Sequence, residues 1–212
     1  MATRATELPA GTHEEATFDY SSLPLILKLS NWMSWRAVVN NLRTGSWVDL
    51  MCGMRAMLQQ SQLKNRKITQ FVALDQEIDE NLERIGITTN KQTITDTLPL
   101  DSTAFDNVTF INGLEHFFAD QDMLHECFRI LKPGGVLQVI VPTWFGKGFL
   151  EFMAFRMKMQ EQIYHGMNDH KMYYDEKNIW PKLVRAGFMP SDIKIRRIKF
   201  WCSLHIVAKK AA

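Results

Sequence analysis

The feature that most constrains the fold of this 212-residue chain is a regular alternation of short apolar segments with longer segments of helical periodicity. The clearest apolar segment is residues 136–141 (VLQVIV), which has the length of a strand and is apolar almost throughout. Alternation of such strands with helices is typical of a parallel sheet that helices cover on both faces. The pattern therefore predicts a doubly wound α/β fold.

Seven strands are predicted in total, and the third of them has the weakest signal. The last two are predicted to be antiparallel, because no crossover helix fits between them. The predicted strands are residues 46–50, 71–74, 93–95, 106–112, 136–141, 193–199 and 201–208.

Helices are predicted from apolar periodicity and from residues that begin or end helices. Pro181 is tolerated in a first turn, so its helix is predicted to begin near Asn178, and Gly187 supplies the C-terminal cap. Asp120 is predicted to cap the helix that ends at a turn formed by residues 132–135 (KPGG). The other predicted helices are residues 22–42, 54–63, 79–85 and 149–164.

The chain is predicted to form a single domain over residues 21–212, preceded by a flexible lead-in at residues 1–20. The alternation of strands and helices changes after Pro142, where a mainly helical insertion is predicted at about residues 143–175. An apolar leader is not visible, and the longest apolar stretch is too short to span a membrane. Three widely spaced cysteines lack the spacing of a disulfide framework or zinc site and favour a reducing cytoplasm.

Charge is distributed unevenly along the chain. The formal net charge of +2 excludes a globally basic nucleic-acid coat and makes nucleic acid a disfavoured partner. The segment from Lys182 onward is basic, and Lys194, Arg196, Arg197 and Lys199 lie on its predicted strands. These side chains could bind a phosphorylated ligand, or they could form the solvated face of an edge hairpin, which is the favoured interpretation.

Ligands of open α/β sheets bind beyond the carboxyl ends of the strands, where the strand order reverses. Asp75 follows the second predicted strand, and an ionised acid there can accept hydrogen bonds from both hydroxyls of a ribose. Asp96 follows the third strand, and residues 112–116 follow the fourth. These positions are therefore the first candidates for a binding site.

Short motifs occur in a fixed order between residues 47 and 141. They are Asp96, then residues 98–99 (LP), 105–106 (FD), 114–116 (LEH) and 131–135 (LKPGG). In this order and spacing they resemble the core of the class I S-adenosylmethionine-dependent methyltransferase family. The resemblance implies a Rossmann-like sheet of seven mostly parallel strands with an antiparallel last strand. It also implies methyl transfer with S-adenosylmethionine as the cofactor.

The resemblance assigns cofactor-binding roles to matching positions of this chain. Residues shaping the turn beneath the methionine part of the cofactor would be Asp49, Cys52 and Gly53. Asp75 and Gln76 would bind the ribose, and the adenine would lie near Asp96 and Thr97. Backbone groups near the methionine end would come from Asn112 and Gly113.

The first of the family motifs is degenerate in this chain. The family usually reads DLGCGTG, whereas residues 49–55 read DLMCGMR, so Met51 and Arg55 replace two glycines. Where φ is positive, a Cβ costs on the order of 1 kcal/mol and adds bulk near the ligand. Either the loop binds the cofactor less tightly, or the protein is a catalytically inactive scaffold or partner subunit. Retained binding is favoured, because Asp49, Gly53, Asp75 and Asp96 remain.

Candidate catalytic residues follow from the needs of methyl transfer. In-line positioning supplies much of the acceleration, and a hydroxyl acceptor also needs a general base. His116 is the first candidate base, with packing against neighbouring phenylalanines as the alternative interpretation. His170 is the second, with Asp169 or Asp175 as an orienting acid, although it could be a solvated loop residue. Candidate acceptor-contacting residues are Glu115, Trp144, Tyr173 and Tyr174.

The predicted acceptor is a small molecule or saccharide that is methylated on oxygen or nitrogen. Residues 169–175 (DHKMYYD) are similar to relatives that modify saccharides, and aromatic faces suit a sugar ring. The resemblance implies that the insertion at about residues 143–175 is a helical cap over the substrate. Its Met-rich segment 149–164 could line a pocket, mediate a homodimer or partner contact, or pack on the sheet edge. A nicotinamide-dependent oxidoreductase is disfavoured, because G-x-G-x-x-G is absent after the first strand.

Overall fold

The computed structural model describes residues 25–53, 68–76, 78, 81–84, 86–95, 97–157 and 170–212. Its strands are β1 Gly45–Leu50, β2 Ile68–Asp75, β3 Thr88–Lys91, β4 Phe105–Ile111, β5 Leu131–Pro142, β6 Ile193–Ile198 and β7 Ser203–Lys209. Its helices are α1 Leu25–Val39, α2 Asn81–Arg84, α3 Asp120–Ile130, α4 Trp144–Met157 and α5 Glu176–Arg185. Short 3-10 turns lie at Leu114–His116 and Pro190–Asp192. The predicted lead-in, the predicted helix at 54–63 and the end of the predicted helix 149–164 lie outside the described residues.

All seven strands form one sheet in the order β3-β2-β1-β4-β5-β7-β6. The first five strands pair in parallel, whereas β7 is antiparallel to both β5 and β6. The predicted doubly wound, Rossmann-like sheet with an antiparallel last strand is therefore confirmed. The strand order reverses between β1 and β4, so the carboxyl ends of these two strands flank the expected ligand-binding crevice.

Apolar side chains cover both faces of the sheet. One cluster joins Val48 of β1 to Leu124 of α3, and the other joins Trp47 of β1 to Val38 of α1. Successive residues of β1 thus enter opposite cores, because side chains alternate along a strand. Burial on both faces explains why residues 136–141 of β5 are apolar almost throughout.

The third strand lies earlier in the chain than predicted. β3 pairs with the last four residues of β2, ending with Lys91 opposite Asp75. The Gln92 N–H then donates to the Asp75 carbonyl at 2.9 Å, after which β2 offers no further partner because it has ended. The prediction of a strand at residues 93–95 is wrong, since that segment lies past the end of the ladder.

The helix that contains Pro181 begins earlier than the predicted start at Asn178. Asp175 and Asn178 form a capping box before α5, with bonds of 2.8 Å from the Asn178 N–H and 3.0 Å from the Asp175 N–H. Pro181 therefore lies inside the helix, where it lacks an N–H. The capping bonds offset that loss. Gly187, with φ of 112°, ends the helix as predicted.

Three other boundaries differ from the predictions. Asp120 is the first residue of α3, and Ala119 is its N-cap, because the Asp120 carboxylate is engaged in a buried ion pair. Residues 132–135 form an irregularity within β5 instead of a separate turn. α4 begins before residue 149, because the Gly146 N–H donates to Thr143 Oγ1 at 2.9 Å and caps the helix at Trp144.

His205 of β7 is a buried histidine that couples folding to pH. Its Nε2 lies 3.1 Å from Gln138 Oε1 on β5, and Gln138 Nε2 donates to the Val38 carbonyl at 3.2 Å. Burial, and secondarily Arg196, lowers the pKa of His205 from 6.5 to about 4. Between these values the unfolded chain binds a proton that the folded chain does not, so stability decreases as the pH falls.

We expect the unaltered protein to lose about 2 kcal/mol more unfolding free energy between pH 7 and pH 5 than a His205→Gln variant. The variant removes the titrating group while keeping a side chain that can donate a hydrogen bond to Gln138. Urea denaturation at the two pH values measures the difference. Equal losses in both proteins would contradict the assignment of His205 as the titrating group.

Candidate active site

The loops that follow β1 and β4 are held at the same edge of the sheet. The Met51 N–H donates to the Leu74 carbonyl at 2.8 Å, and the Asn112 N–H donates to the Ile140 carbonyl at 2.8 Å. These bonds extend the parallel ladders past the ends of the strands. They place both loops beside the switch point, where doubly wound sheets bind their ligands.

Asp75 is the last residue of β2, and its buried carboxylate contacts the loop after β1. The Gly53 N–H donates to Asp75 Oδ2 at 2.7 Å. Gly53 has a φ of 60°, a left-handed conformation that glycine adopts without steric cost. The hydrogen bond thus fixes the retained glycine of the first motif against the predicted ribose-binding acid.

Met51 adopts a left-handed backbone conformation at a position where the family usually has glycine. Its φ is 51°, which costs a residue with a Cβ on the order of 1 kcal/mol. The Met51 side chain packs against the apolar cluster that contains Val48. Its Cβ lies 3.1 Å from the position that a Cβ would occupy at Gly113. The loop therefore keeps a glycine-like backbone at Met51 despite the substitution, whereas Arg55 lies outside the described residues.

Paired substitutions at Met51 separate backbone strain from the loss of packing. Both Met51→Gly and Met51→Ala remove the packed side chain, but only alanine keeps a Cβ at positive φ. We expect the glycine variant to have an unfolding free energy about 1 kcal/mol higher than the alanine variant. Chemical denaturation of the two variants measures this difference. A more stable alanine variant, the usual order at negative φ, would contradict the positive φ of Met51.

Asp49 at the end of β1 and Cys52 in the loop after it are both buried. The Asp49 carboxylate accepts a hydrogen bond from the Thr109 hydroxyl on β4. Thr109 Oγ1 in turn accepts a hydrogen bond from Trp47 Nε1 at 2.7 Å. These two hydrogen bonds join the end of β1 to β4. Cys52 packs in the apolar cluster that contains Trp47.

Asn112 and Gly113 follow β4 on the other side of the crevice. Asn112 has a φ of 50°, and its buried Oδ1 accepts no hydrogen bond within the described part of the chain. A buried acceptor without a partner costs on the order of 1–3 kcal/mol, so a bound donor would be stabilised here. A Cβ at Gly113 would lie 2.4 Å from the Phe110 ring, so the close packing at this position requires glycine.

Glu115, His116 and His170 form a compact cluster at the end of β4. Glu115 and His116 lie in the 3-10 turn, and His170 precedes α5. His170 Nε2 is 3.8 Å from Glu115 Oε1, and the two imidazole centroids are 5.1 Å apart. Glu115 is completely buried, whereas both histidines are partly exposed. The fold thus brings together the two histidines that the sequence analysis selected.

Two aromatic residues border this cluster. The Tyr173 hydroxyl is 3.3 Å from His170 Nδ1, and the Trp144 ring centroid is 5.3 Å from that of Tyr173. Burial raises the pKa of Tyr173, so its hydroxyl stays protonated at neutral pH. One prediction was that Asp169 or Asp175 orients His170. The Asp175 carboxylate instead caps α5, and Asp169 lies outside the described residues. The contact between His170 and Tyr173 is not among the predictions, although the spacing of three residues between them could have indicated it.

Tyr174 occupies the core beneath the cluster. It is completely buried, and its hydroxyl donates to Asp120 Oδ2 at 3.0 Å. Lys182 Nζ is 2.5 Å from Asp120 Oδ1. Burial, followed by the Asp120 carboxylate, raises the pKa of Tyr174. A completely buried ring offers no surface to an acceptor, which is contrary to the predicted contact between Tyr174 and the acceptor.

The other predicted cofactor-binding residues are less closely defined. Gln76 and Thr97 are exposed on the loops after β2 and β3. Asp96 lies outside the described residues. Asp75, Gly53 and Asn112 therefore carry the structural argument for a cofactor site.

Comparison with known proteins bears on the family and the fold. Residues 48–139 match a family model described as a methyltransferase domain. Among curated proteins, none has a sequence that matches the chain.

Solved methyltransferase structures share the fold. A chain from the complex between the Haloferax volcanii Trm112 methyltransferase activator and a methyltransferase has 15% identity and a TM-score of 0.68, with 88% of this chain and 92% of that chain covered. A Thermotoga maritima S-adenosylmethionine-dependent methyltransferase has 19% identity and a TM-score of 0.61, with 88% and 91% covered. Phosphoethanolamine N-methyltransferase 2 from Haemonchus contortus, in complex with S-adenosyl-L-methionine, has 14% identity and a TM-score of 0.61, with 87% and 53% covered.

The match over residues 48–139 identifies a methyltransferase domain, and the sheet topology is that of the class I, Rossmann-like methyltransferase fold. At the identities given above, the structural likeness defines the fold alone. In the part of the chain that the structure describes, no helix is long and apolar enough to cross a membrane.

Proposed function

We propose that the protein transfers a methyl group from S-adenosylmethionine to an oxygen or nitrogen atom of a small molecule or saccharide. The observation that carries this proposal is the bond between the Gly53 N–H and the Asp75 carboxylate at the switch point. It keeps the glycine turn and the acid after β2 in one site, although the first motif is degenerate. The hydrogen-bond acceptors at this point, the Asp75 carboxylate and Asn112 Oδ1, suit a cofactor that carries both hydroxyl and amino groups.

The residues at the switch point fit the two polar ends of this cofactor. Asp75 would accept hydrogen bonds from the ribose hydroxyls, with Gln76 beside it, and Asp96 with Thr97 would border the adenine. Asn112 Oδ1, which is buried and lacks a partner in the described part of the chain, would accept from the amino group of the methionine moiety. Asp49, Cys52 and Gly113 would shape the backbone around that moiety.

The reaction requires an acceptor atom in line with the methyl group. When bound, S-adenosylmethionine supplies an electrophilic methyl carbon: the acceptor's electron pair forms the new bond while the carbon–sulfur bond breaks and leaves its electrons on sulfur. His116 or His170 would take the proton of a hydroxyl acceptor. Glu115 lies close enough to His170 to stabilise the imidazolium that forms.

The acceptor would bind between the histidine cluster and the start of α4. Trp144 exposes 58% of its surface, and Tyr173 packs against it. An exposed indole next to a carboxylate and polar rings suits a sugar ring or a similar polar small molecule, because it supplies an apolar face beside hydrogen-bonding groups.

Titration with S-adenosylmethionine and with its demethylated product tests the proposal. Isothermal titration calorimetry should show binding at a single site, and thermal shift should show stabilisation that grows with ligand concentration. Absence of binding at millimolar concentrations of both compounds would overturn the proposed cofactor. S-adenosylmethionine binding without turnover on any acceptor panel would leave cofactor binding intact and overturn the transfer reaction.

An inactive scaffold or partner subunit is the second candidate function. It is favoured by the Cβ-bearing residue at φ of 51° in the cofactor loop and by exposed aromatic side chains on α4, where Phe152 and Phe155 are 61% and 77% exposed. Such a face could mediate a homodimer or bind a partner. The cofactor titration separates the two candidates, and sedimentation equilibrium of the unaltered protein and a Phe152→Ser, Phe155→Ser variant tests the homodimer.

A further inference from the structure

A cluster of metal-binding side chains lies at the border of the proposed transfer site. One ligand atom from each of Glu115, His116 and His170 lies within 4.8 Å of the other two. We propose that these three residues form a binding site for one divalent transition-metal cation, with Zn²⁺ as the probe. The role of the ion, though not the site itself, rests on the proposed methyl transfer.

The donor set has the chemistry of a catalytic metal site. Two imidazole nitrogens and one carboxylate oxygen are ligands that suit zinc and its first-row neighbours. Three protein ligands leave at least one coordination position for water or for an acceptor oxygen. A structural site would instead be closed by a fourth protein ligand.

The measured distances allow the three groups to share one ion after small rotations. Two ligands on one ion lie at most about 4.2 Å apart, since each bond is about 2.1 Å long. The 3.8 Å between His170 Nε2 and Glu115 Oε1 already meets this limit. No separation in the cluster exceeds 4.8 Å, so none must close by more than about 0.6 Å on binding, which rotation of the partly exposed His116 ring can supply.

Backbone hydrogen bonds hold the ligand-bearing segments together. The Lys171 and Met172 N–H groups both donate to the Glu115 carbonyl, at 2.7 and 3.1 Å. The residue after one ligand is thus fixed to the backbone of another, although the two segments are distant in the sequence. Glu115 and His116 are consecutive residues of one short 3-10 turn. Preorganisation of this kind reduces the entropy lost when an ion binds.

Tyr173 supplies an outer partner for the metal ligand His170. Its hydroxyl lies 3.3 Å from Nδ1, while Nε2 faces Glu115. When Nδ1 donates to this hydroxyl, Nε2 carries the lone pair that binds a metal. Hydrogen bonds to the second nitrogen fix the tautomer and the ring orientation of metal-binding histidines in this way.

A cation here would act directly on the acceptor. The cluster borders Tyr173 and Trp144, where the proposed acceptor binds. A hydroxyl coordinated to the ion loses its proton more readily, as metal-bound water does. With the ion bound, the two imidazoles act as ligands, and the hydroxyl proton leaves to solvent instead of to a histidine.

Metal titration of the protein tests the site. Tag-free protein is stripped with a chelator, dialysed and titrated with ZnCl₂ by calorimetry, with elemental analysis after dialysis to give the stoichiometry. We expect one Zn²⁺ per chain at micromolar or lower Kd. His170→Asn and His116→Asn should each weaken binding at least about tenfold, because each removes one of three ligands. Glu115→Gln replaces the carboxylate of the third ligand with a neutral amide that binds the cation more weakly, and circular dichroism verifies that each variant is folded.

A matched control is His125→Asn, because His125 is an exposed histidine on α3 whose Nε2 lies 3.0 Å from the Arg185 carbonyl. Its Zn²⁺ affinity should equal that of the unaltered protein. The proposal is overturned by a protein that binds no Zn²⁺ at 100 µM, or by affinities that the three ligand variants leave unchanged. Co²⁺ loading adds a spectroscopic test, since visible absorption bands that shift in His170→Asn report coordination by that ring.

Different experimental results would contradict the proposed metal site and the proposed function. S-adenosylmethionine titrations on stripped protein report the cofactor site without the metal, and Zn²⁺ titrations report the metal site without the cofactor. Zn²⁺ binding without S-adenosylmethionine binding supports the site and overturns the proposed function. The reverse result overturns the site alone. Methyl transfer that persists at full rate after chelation would overturn the proposed role of the ion in the reaction.

Discussion

An Asp75→Ala variant is expected to bind S-adenosylmethionine at least about 100-fold more weakly than the unaltered protein. Asp75 would accept two hydrogen bonds from the ribose, and hydrogen bonds to a charged group contribute about 1.5–3 kcal/mol each. A loss of about 3 kcal/mol corresponds to roughly 100-fold in Kd. The Gly53 N–H also loses its acceptor, so the loop after β1 is released at the same time. Calorimetric titration measures the change in Kd.

Two further variants make the Asp75 result interpretable. Asp75→Asn keeps the shape and one acceptor oxygen, so we expect an intermediate affinity. Asp101→Ala removes an exposed carboxylate outside the proposed cofactor set and should leave the Kd unchanged. An Asp75→Ala protein that is folded and binds the cofactor as tightly as the unaltered protein would show that the ribose lies elsewhere.

An Asp120→Ala variant is expected to lose about 3 kcal/mol of unfolding free energy. Asp120 is buried at the start of α3, and its carboxylate bonds to both Lys182 Nζ and the Tyr174 hydroxyl. Removing it leaves the ammonium of Lys182, which is only partly exposed, without its counter-charge. The variant also loses the ion pair that joins α3 to α5. Urea denaturation followed by circular dichroism measures the loss.

Asp122→Ala is the matched control, because Asp122 is an exposed acid in the same first turn of α3. It should cost about 0.5 kcal/mol, the usual contribution of a carboxylate at a helix N-terminus. Adding Lys182→Met to Asp120→Ala should recover part of the loss, since the buried charge is then removed as well. A double variant less stable than Asp120→Ala would contradict this account of the pair.

Local sequence preferences failed where tertiary contacts compete with them. Asp120 is an excellent capping residue by type, yet its carboxylate binds Lys182 and so does not cap α3. Pro181 suggested a late start for its helix, but the capping box of Asp175 and Asn178 begins α5 earlier. Asp120 has two possible partners, and the sequence does not show which one it binds. The start of α5 depends on the bonds between Asp175 and Asn178 and not on Pro181.

The amino-acid sequence determined the sheet and the position of the crevice, because strands buried on both faces must be apolar and ligands bind beyond their carboxyl ends. It also located Asp75 and the anomalous Met51 by their place after strands. Only the tertiary structure decided that Met51 keeps a left-handed backbone, that Tyr174 is buried, and that Glu115 meets His170. These outcomes depend on contacts between segments far apart in the chain, and such contacts leave no local periodicity to detect.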